Sequence, residues 1–556
     1  MKKVSKILIE VLTGCLILSL TACTSQIPLD HEEKVIYVEK APTEHCLGYA
    51  VLEPEDDFKK IVARERMIYV LNDEFDLKGG SVSIPGNSIL VFSEGGKIVN
   101  GNITFNSTYL EGEVKFKDVS FAGTLINKTV NLSWFGATTV LSEEKSNTRK
   151  NSAIIAEVLG CMGDTLIVDG FYPVSSVITV SKSVNLRSPD WNESLCKKSY
   201  YDDNFKPSNG FFTNGNISIF SFTTKGSMNL FGIYLKGNPD LFKGSAIPTN
   251  AGTAALSNET WSGGSIAAVY NCRIEGFMEG IRSIGGYIEK IQNTTFDSCC
   301  VGVYALYASD FDIFGCRFTN CMPYLSVPAV SDSTFTNSHM NDLRKCGCGI
   351  ILEGCGMVNF ANNLLENNFV NLQLIEADII INISDCTFRN PGFCDMYFYN
   401  DYAGFGTNLY FTLGASDLQK YCMDNIVVHN NTFERSSKAA GRCVVLLKNR
   451  QIALGSNGRE VEHDRVTNFV FSNNTVKDTR LLTTSDESIF TVVNKDETQS
   501  HVTCTQNSFT NSKASYLVNA ITGSTGKYTF QCSKNSMPSN IQEKSVKGEK
   551  GIISFE

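Results

Sequence analysis

The chain has no excess of positive charge: 49 lysines and arginines face 58 aspartates and glutamates, for a net charge of −9. That balance argues against a nucleic-acid partner, whose phosphates need a basic face. Histidine is scarce, with six in 556 residues. None follows close behind the one tight cysteine cluster, Cys346, Cys348 and Cys355, so the spaced pairs of a zinc site are missing and no metal is expected. Beyond residue 20 no apolar run is long enough to span a bilayer, which takes about 20 residues. No nucleophile elbow, P-loop or dinucleotide fingerprint is present.

What the chain does have is a returning phrase between residues 270 and 537: a small turn residue, one polar residue, then one large apolar anchor. It reads Cys272-Arg273-Ile274, Thr294-Thr295-Phe296, Cys316-Arg317-Phe318, Ser333-Thr334-Phe335, Asn363-Leu364-Leu365 and Cys386-Thr387-Phe388. It continues as Asn431-Thr432-Phe433, Asn474-Thr475-Val476, Asn507-Ser508-Phe509 and Asn535-Ser536-Met537. Most steps fall in the twenties, the signature of a solenoid. Two gaps near twice the step, after Phe388 and after Phe433, call for an inserted loop or a coil with a weak anchor.

Seven and five positions before each anchor stand Glu289/Ile291, Phe311/Ile313, Val358/Phe360, Ile381/Ile383, Ile426/Val428 and Phe469/Phe471, an almost wholly apolar column. The positions between are mostly polar. Alternation at period two means strands buried on one face. The reading is an all-β parallel β-helix, its coils about 4.8 Å apart. Of the 19 cysteines, many fall at coil corners, where a buried thiol acts as a small hydrophobe.

Residues 1–22 read as a secretory signal, with Lys2, Lys3 and Lys6 before an apolar segment and Leu20-Thr21-Ala22-Cys23 at its end. That ending resembles the bacterial lipobox, which implies palmitate-type acylation of Cys23, a membrane contact through the lipid, and an outer-membrane lipoprotein on its periplasmic or cell-surface face. Residues 23–64 read as a tether, 65–137 as β-rich coils, and 138–545 as the β-helix proper.

Two stretches carry a further resemblance. Asp73 to Gly79, Ile84-Pro85, Leu90-Val91-Phe92 and Gly95-Gly96-Lys97-Ile98 are similar to the opening coils of pectin-lyase-fold lipoproteins of Bacteroidota. Trp134-Phe135-Gly136-Ala137, an apolar helical segment 152–161, Asp164 to Val168 and Gly170-Phe171-Tyr172 resemble the pectate-lyase superfamily domain of phage tailspikes. The resemblance implies a right-handed parallel β-helix with an N-terminal capping helix over its open end, inserted loops, and a polysaccharide partner. The aspartate-rich stretch that this family carries after the glycine-alanine pair is replaced here by residues 138–150. No motif resembling polygalacturonase or pectate lyase stands among the outward positions.

Loops are read at 190–210, 238–264, 322–328, 396–424 and 436–466. The aromatic run holding Tyr397, Tyr399 and Tyr402 is a candidate sugar-stacking platform, or a loop packing its own rings on the flank. Successive coils set Lys290 beside Asp312, with Asp310 near, a candidate catalytic group. Glu366 beside Arg389 is a candidate substrate contact. The bland reading of each pair is a solvated ion pair worth under about 1 kcal/mol. Hydrolysis needs two carboxylates and no cofactor; a lyase needs a base and a cation or arginine, and calcium would fill the cation's place. Two functions stay open: a lyase or glycoside hydrolase, and a non-catalytic glycan-binding or adhesin-like protein.

Overall fold

A computed structural model describes residues 46–53, 56–197, 207–242, 253–259, 263–306, 308–321, 347–353, 355–375, 378–400, 426–436, 443–450, 466–479, 488–495, 499–510, 514, 516–522, 527–539, 541–548 and 552–554. All belong to one compact unit, residues 41–556. The signal segment, Cys23, Phe335 and Tyr402 lie outside the described residues.

The period-two runs form strands that pair in parallel with the same position one coil later. Ile291, Ile313, Phe360, Ile383, Val428 and Phe471 are successive register partners. All six are sealed inside, as the alternation requires. The winding makes three long faces of parallel strands: face A with 14, face B with 10 and face C with 12. One coil shows the order: Gly356–Ala361 lies on face A, Leu364–Glu366 on face B and Val370–Ile375 on face C. The anchors Phe296, Phe318, Leu365, Phe388 and Phe433 stack down the inside of face B. The Phe296 and Phe318 rings lie 4.8 Å apart and the Phe388 and Phe433 rings 4.9 Å apart, both nearly coplanar in orientation. Such pairs add about 0.5–1.5 kcal/mol beyond the area they bury.

From Phe231 onward the chain turns between face A and face B on two residues, coil after coil, whereas residues 188–209 make that connection earlier. The first takes a left-handed conformation, as at Asn362, Asp385, Asn430 and Asn473, with φ of 55°, 56°, 58° and 54°. Asn and Asp tolerate that region through local hydrogen bonds. The second residue points inward and stacks. The Asn431, Asn474 and Asn507 backbone N–H groups each donate 2.8 Å to the side-chain oxygen of the next asparagine, Asn474, Asn507 and Asn535. Their amide groups donate in turn to carbonyls such as Ile383 and Val428, both at 3.0 Å. Where the ladder position holds cysteine, as at Cys272, Cys316 and Cys386, the thiol is buried.

The structure corrects several boundaries. The strand Gly48–Leu52 pairs with Met67–Leu71, and Leu52, Phe58 and Val62 join the core, so the second half of the expected tether is folded. The helix Asn151–Cys161 packs its buried Ile154, Ile155, Val158 and Leu159 into the same core as Phe116 and Phe121 of the N-terminal coils. It therefore lies beneath those coils, where an open end was expected. Phe318 pairs directly with Leu365, and Phe335, read as an anchor between them, lies outside the described residues. The doubled steps after Phe388 and Phe433 are insertions, because Phe388 pairs with Phe433 and Phe433 with Val476. Residues 254–258, read as loop, form a buried strand of face C. The insertion expected from Met396 begins after Asn400, since Cys394–Asn400 is also a face C strand. Glu289 is the misfit of the apolar column because register slips where Met228 meets the next strand. Ile266 and Ile288 then take the inward places.

Glycine is needed where face C comes closest to the anchors. A side chain at Gly302 would meet the Gly349 carbonyl at 2.4 Å and the Phe318 ring at 2.8 Å. Further along, the polar chain Asn368, Asn371, Asp395 and Arg435 is buried whole. Asn371 donates 2.9 Å to Asp395, and Arg435 donates 3.0 Å to the same carboxylate.

Candidate functional site

One long connection, residues 188–209, lies between face A and face B, and others border face C. Residues 322–346 join face B to face C, and residues 401–425 and 451–465 join face C to face A. All three attach at the ends of face C strands.

One outward column on this face runs Ser257, Arg282, Tyr304, Ile351, Gln373, Tyr397 and Leu446. Its far end is sealed: Ile351, Tyr397 and Leu446 form a second apolar cluster with Cys394 and Cys443, apart from the main core. Tyr397 is 1% exposed, so it offers no ring face to a sugar, and the platform expected there is corrected to packing. Tyr399 follows in the same strand, and Tyr402 lies outside the described residues.

The near end is polar, with Glu259 exposed, Arg282 and Glu279 mostly covered and Glu353 buried. Arg282 donates through Nε to Glu259 at 2.9 Å and through Nη1 to both oxygens of Glu279 at 3.0 and 2.9 Å. Its guanidinium carbon stands 5.7 Å from the centre of the Tyr304 ring, in cation–π range. The Tyr304 hydroxyl donates to Glu353 Oε2 at 2.7 Å. Burial works against the charge on Arg282, but Glu279 and then Glu259 outweigh it and raise the guanidinium pKa. Burial first, and the charge of Glu353 second, push the Tyr304 phenol far above its usual range, so it stays protonated at neutral pH. Three carboxylates, one arginine and a neutral phenol thus meet on two neighbouring coils and the strand after them.

The charged sequence-derived candidates lie on the other two faces. Lys290 and Asp312 are register partners on face A, as expected. The same column continues through Asn359 and Asn382, and Asn382 Oδ1 accepts from His429 Nε2 at 3.1 Å. Asp310 is exposed on the left-handed residue beside that strand, φ 59°. Glu366 and Arg389 are neighbours on face B, where they belong to a chain of ion pairs. Arg317 and Arg389 both hold Glu366, Arg389 also holds Glu434 at 2.9 Å, and Lys477 stands 3.8 Å from Glu434. The structure does not bring these two groups together with each other or with the Arg282 cluster.

Arg282 and Tyr304 were missed although the signal was there. Each follows its anchor, Ile274 or Phe296, by eight residues, so carrying the alignment past the anchors would have put both in one column. Glu353 could not be aligned that way, because residues 322–346 break the step.

Residues 209–378 match the family model described as a right-handed beta helix region, which agrees with the winding and fixes its hand. No curated protein matches the chain in sequence. Among solved structures, DFA-IIIase from Arthrobacter chlorophenolicus A6 without its lid, in complex with GF2, is 7% identical with a TM-score of 0.43, covering 77% of this chain and 100% of that one. The Agl-KA catalytic domain is 11% identical with a TM-score of 0.38, covering 77% and 68%. The tailspike protein gp49 from Acinetobacter baumannii bacteriophage Fri1, a capsular polysaccharide depolymerase, is 11% identical with a TM-score of 0.30, covering 75% and 64%.

Proposed function

We propose that the chain acts on polysaccharide and cleaves it hydrolytically at the Arg282 cluster of face C. The observation that carries this reading is the Tyr304 hydroxyl on Glu353, beside an arginine that already holds two carboxylates. Stacked coils repeat their side chains about every 4.8 Å, which suits an extended repetitive polymer lying along the axis. Glycoside hydrolysis needs one carboxyl group to protonate the leaving oxygen and another to activate water or attack the sugar. Glu353 and Glu279 are assigned these two parts, and Tyr304 the positioning of Glu353. Elimination is less well served: Arg282 is committed to Glu259 and Glu279, and a phenol held protonated cannot take a proton at neutral pH. Hydrolysis calls on no cofactor. The lipobox-like Leu20-Thr21-Ala22-Cys23 supports an outer-membrane lipoprotein that meets its glycan outside the cytoplasm.

The test is a panel of neutral, amino-sugar and uronate-containing polysaccharides, scored for new reducing ends and for the absorbance of unsaturated products. Reducing ends without unsaturation, lost in Glu353→Gln, are expected on at least one glycan. Unsaturated product would replace hydrolysis by elimination. Retained glycan binding with no turnover on any polymer would leave the second function, a glycan-binding surface protein.

A further inference from the structure

Near the C-terminal end of face A the strands Gln499–Thr505 and Lys527–Ser533 run in register, and Cys504 is the direct partner of Cys532. Neighbouring strands lie about 4.8 Å apart, inside the roughly 4.4–6.8 Å between Cα atoms that a disulfide spans. Its Cβ atoms must come to about 4 Å, so the two strands have to draw slightly together. Cys394 and Cys443 are also register partners, on face C, but both are buried and Cys394 is held on its other side by Val370. Cys532 is placed differently. The described pairing of its strand with the next, Ile552–Ser554, ends at Thr529. Cys532 is also half-buried, whereas Cys504 is sealed. One thiol of the pair therefore meets solvent.

We propose that Cys504 and Cys532 are a cross-coil disulfide site that fastens the last turns of the solenoid in an oxidising compartment. The surroundings align the pair. Thr505 and Ser533 share a 3.0 Å hydrogen bond one residue on, and the Asn507 amide stands 3.4 Å from the Cys504 sulfur. Asn507 and Asn535 lock the following corner. The chemistry is an exchange: a low-molecular-weight disulfide such as glutathione disulfide is attacked by the Cys532 thiolate and releases one thiol. Cys504, losing its proton, then displaces the second, leaving a sulfur–sulfur bond in the protein and two reduced small thiols. The bond closes a loop of one coil across the part of the barrel with fewest neighbours.

The full-length chain is equilibrated with glutathione disulfide or with dithiothreitol, alkylated, digested and read by mass spectrometry. The expected result is a Cys504–Cys532 linked peptide only after oxidation, together with several-fold slower proteolysis of the C-terminal coils. Cys532→Ser should remove both effects. Alkylation of both residues after oxidation, or linkage of either to another cysteine, would overturn the assignment. Should Cys532→Ser fail to fold, the linked peptide of the parent chain still decides.

Discussion

The Tyr304 hydroxyl rests 2.7 Å from Glu353 although 49 residues separate them in sequence. That contact exists because the strands Val301–Leu306 and Cys348–Glu353 pair in register, Leu306 beside Glu353. If Glu353 transfers a proton during hydrolysis, Glu353→Gln should lower turnover by at least about 100-fold. Tyr304→Phe should lower it by the same proportion from pH 5 to 9, because the phenol is held protonated throughout that window. Rates compared by reducing-end assay decide it: a loss confined to the alkaline side would mean the phenol titrates there.

The buried thiols make the fold sensitive to alkali. Cys272, Cys299, Cys316 and Cys386 are each pushed up from 9.0 to about 12 by burial. A raised folded pKa leaves stability untouched below the unfolded value and withdraws it above. Each such thiol should therefore cost about 1.4 kcal/mol per pH unit between 9 and 12. Melting temperature should be flat to pH 9 and fall steeply beyond it in reducing buffer. A melting temperature unchanged at pH 11 would contradict the burial of these groups.

Asn474 accepts the Asn431 N–H and donates to the Val428 carbonyl. Asn474→Ala leaves both buried groups without their partner and should cost about 2–4 kcal/mol. A denaturant titration with unchanged slope and a lower midpoint is the expected signature. A shift below about 0.5 kcal/mol would mean the asparagine ladder does not bear on stability.

Asp395 and Arg435 pair with 0% and 3% of their side chains exposed. Asp395→Asn strips the counter-charge from a buried guanidinium and should destabilise by about 3–5 kcal/mol. Replacing both, as Asp395→Leu with Arg435→Met, should recover most of that. A double-mutant cycle read by denaturant unfolding distinguishes the pair from two independent losses.

The inside of the barrel was legible where steps were regular. Ile313, Phe360, Ile383 and Val428 declare their orientation by alternation alone, and the anchors name their register partners. Glu289 broke the pattern because a bulge adds a residue, which no alternation records. Face C was poorly legible for two reasons. Its strands follow connections of unequal length, so Glu353 and Tyr397 share no fixed offset from an anchor. Its sealed end is also apolar on both sides, with Ile351 outward and Leu352 inward, which erases the contrast that marks a surface. Lys290, Asp310 and Asp312 were visible because face A precedes each anchor at constant distance, and visibility in that sense carries no information about chemistry.

The two-residue corner between faces A and B has a consequence for how such a chain diversifies. One corner between these faces already carries residues 188–209, yet Phe211 beyond it still pairs with Leu235 and both stay buried, so the stack holds its register through a change of length between strands. At the borders of face C whole segments can be exchanged while the stack keeps time. Swapping 322–346 or 401–425 between relatives should thus be the economical route to new glycan preferences, with the barrel serving as an invariant chassis.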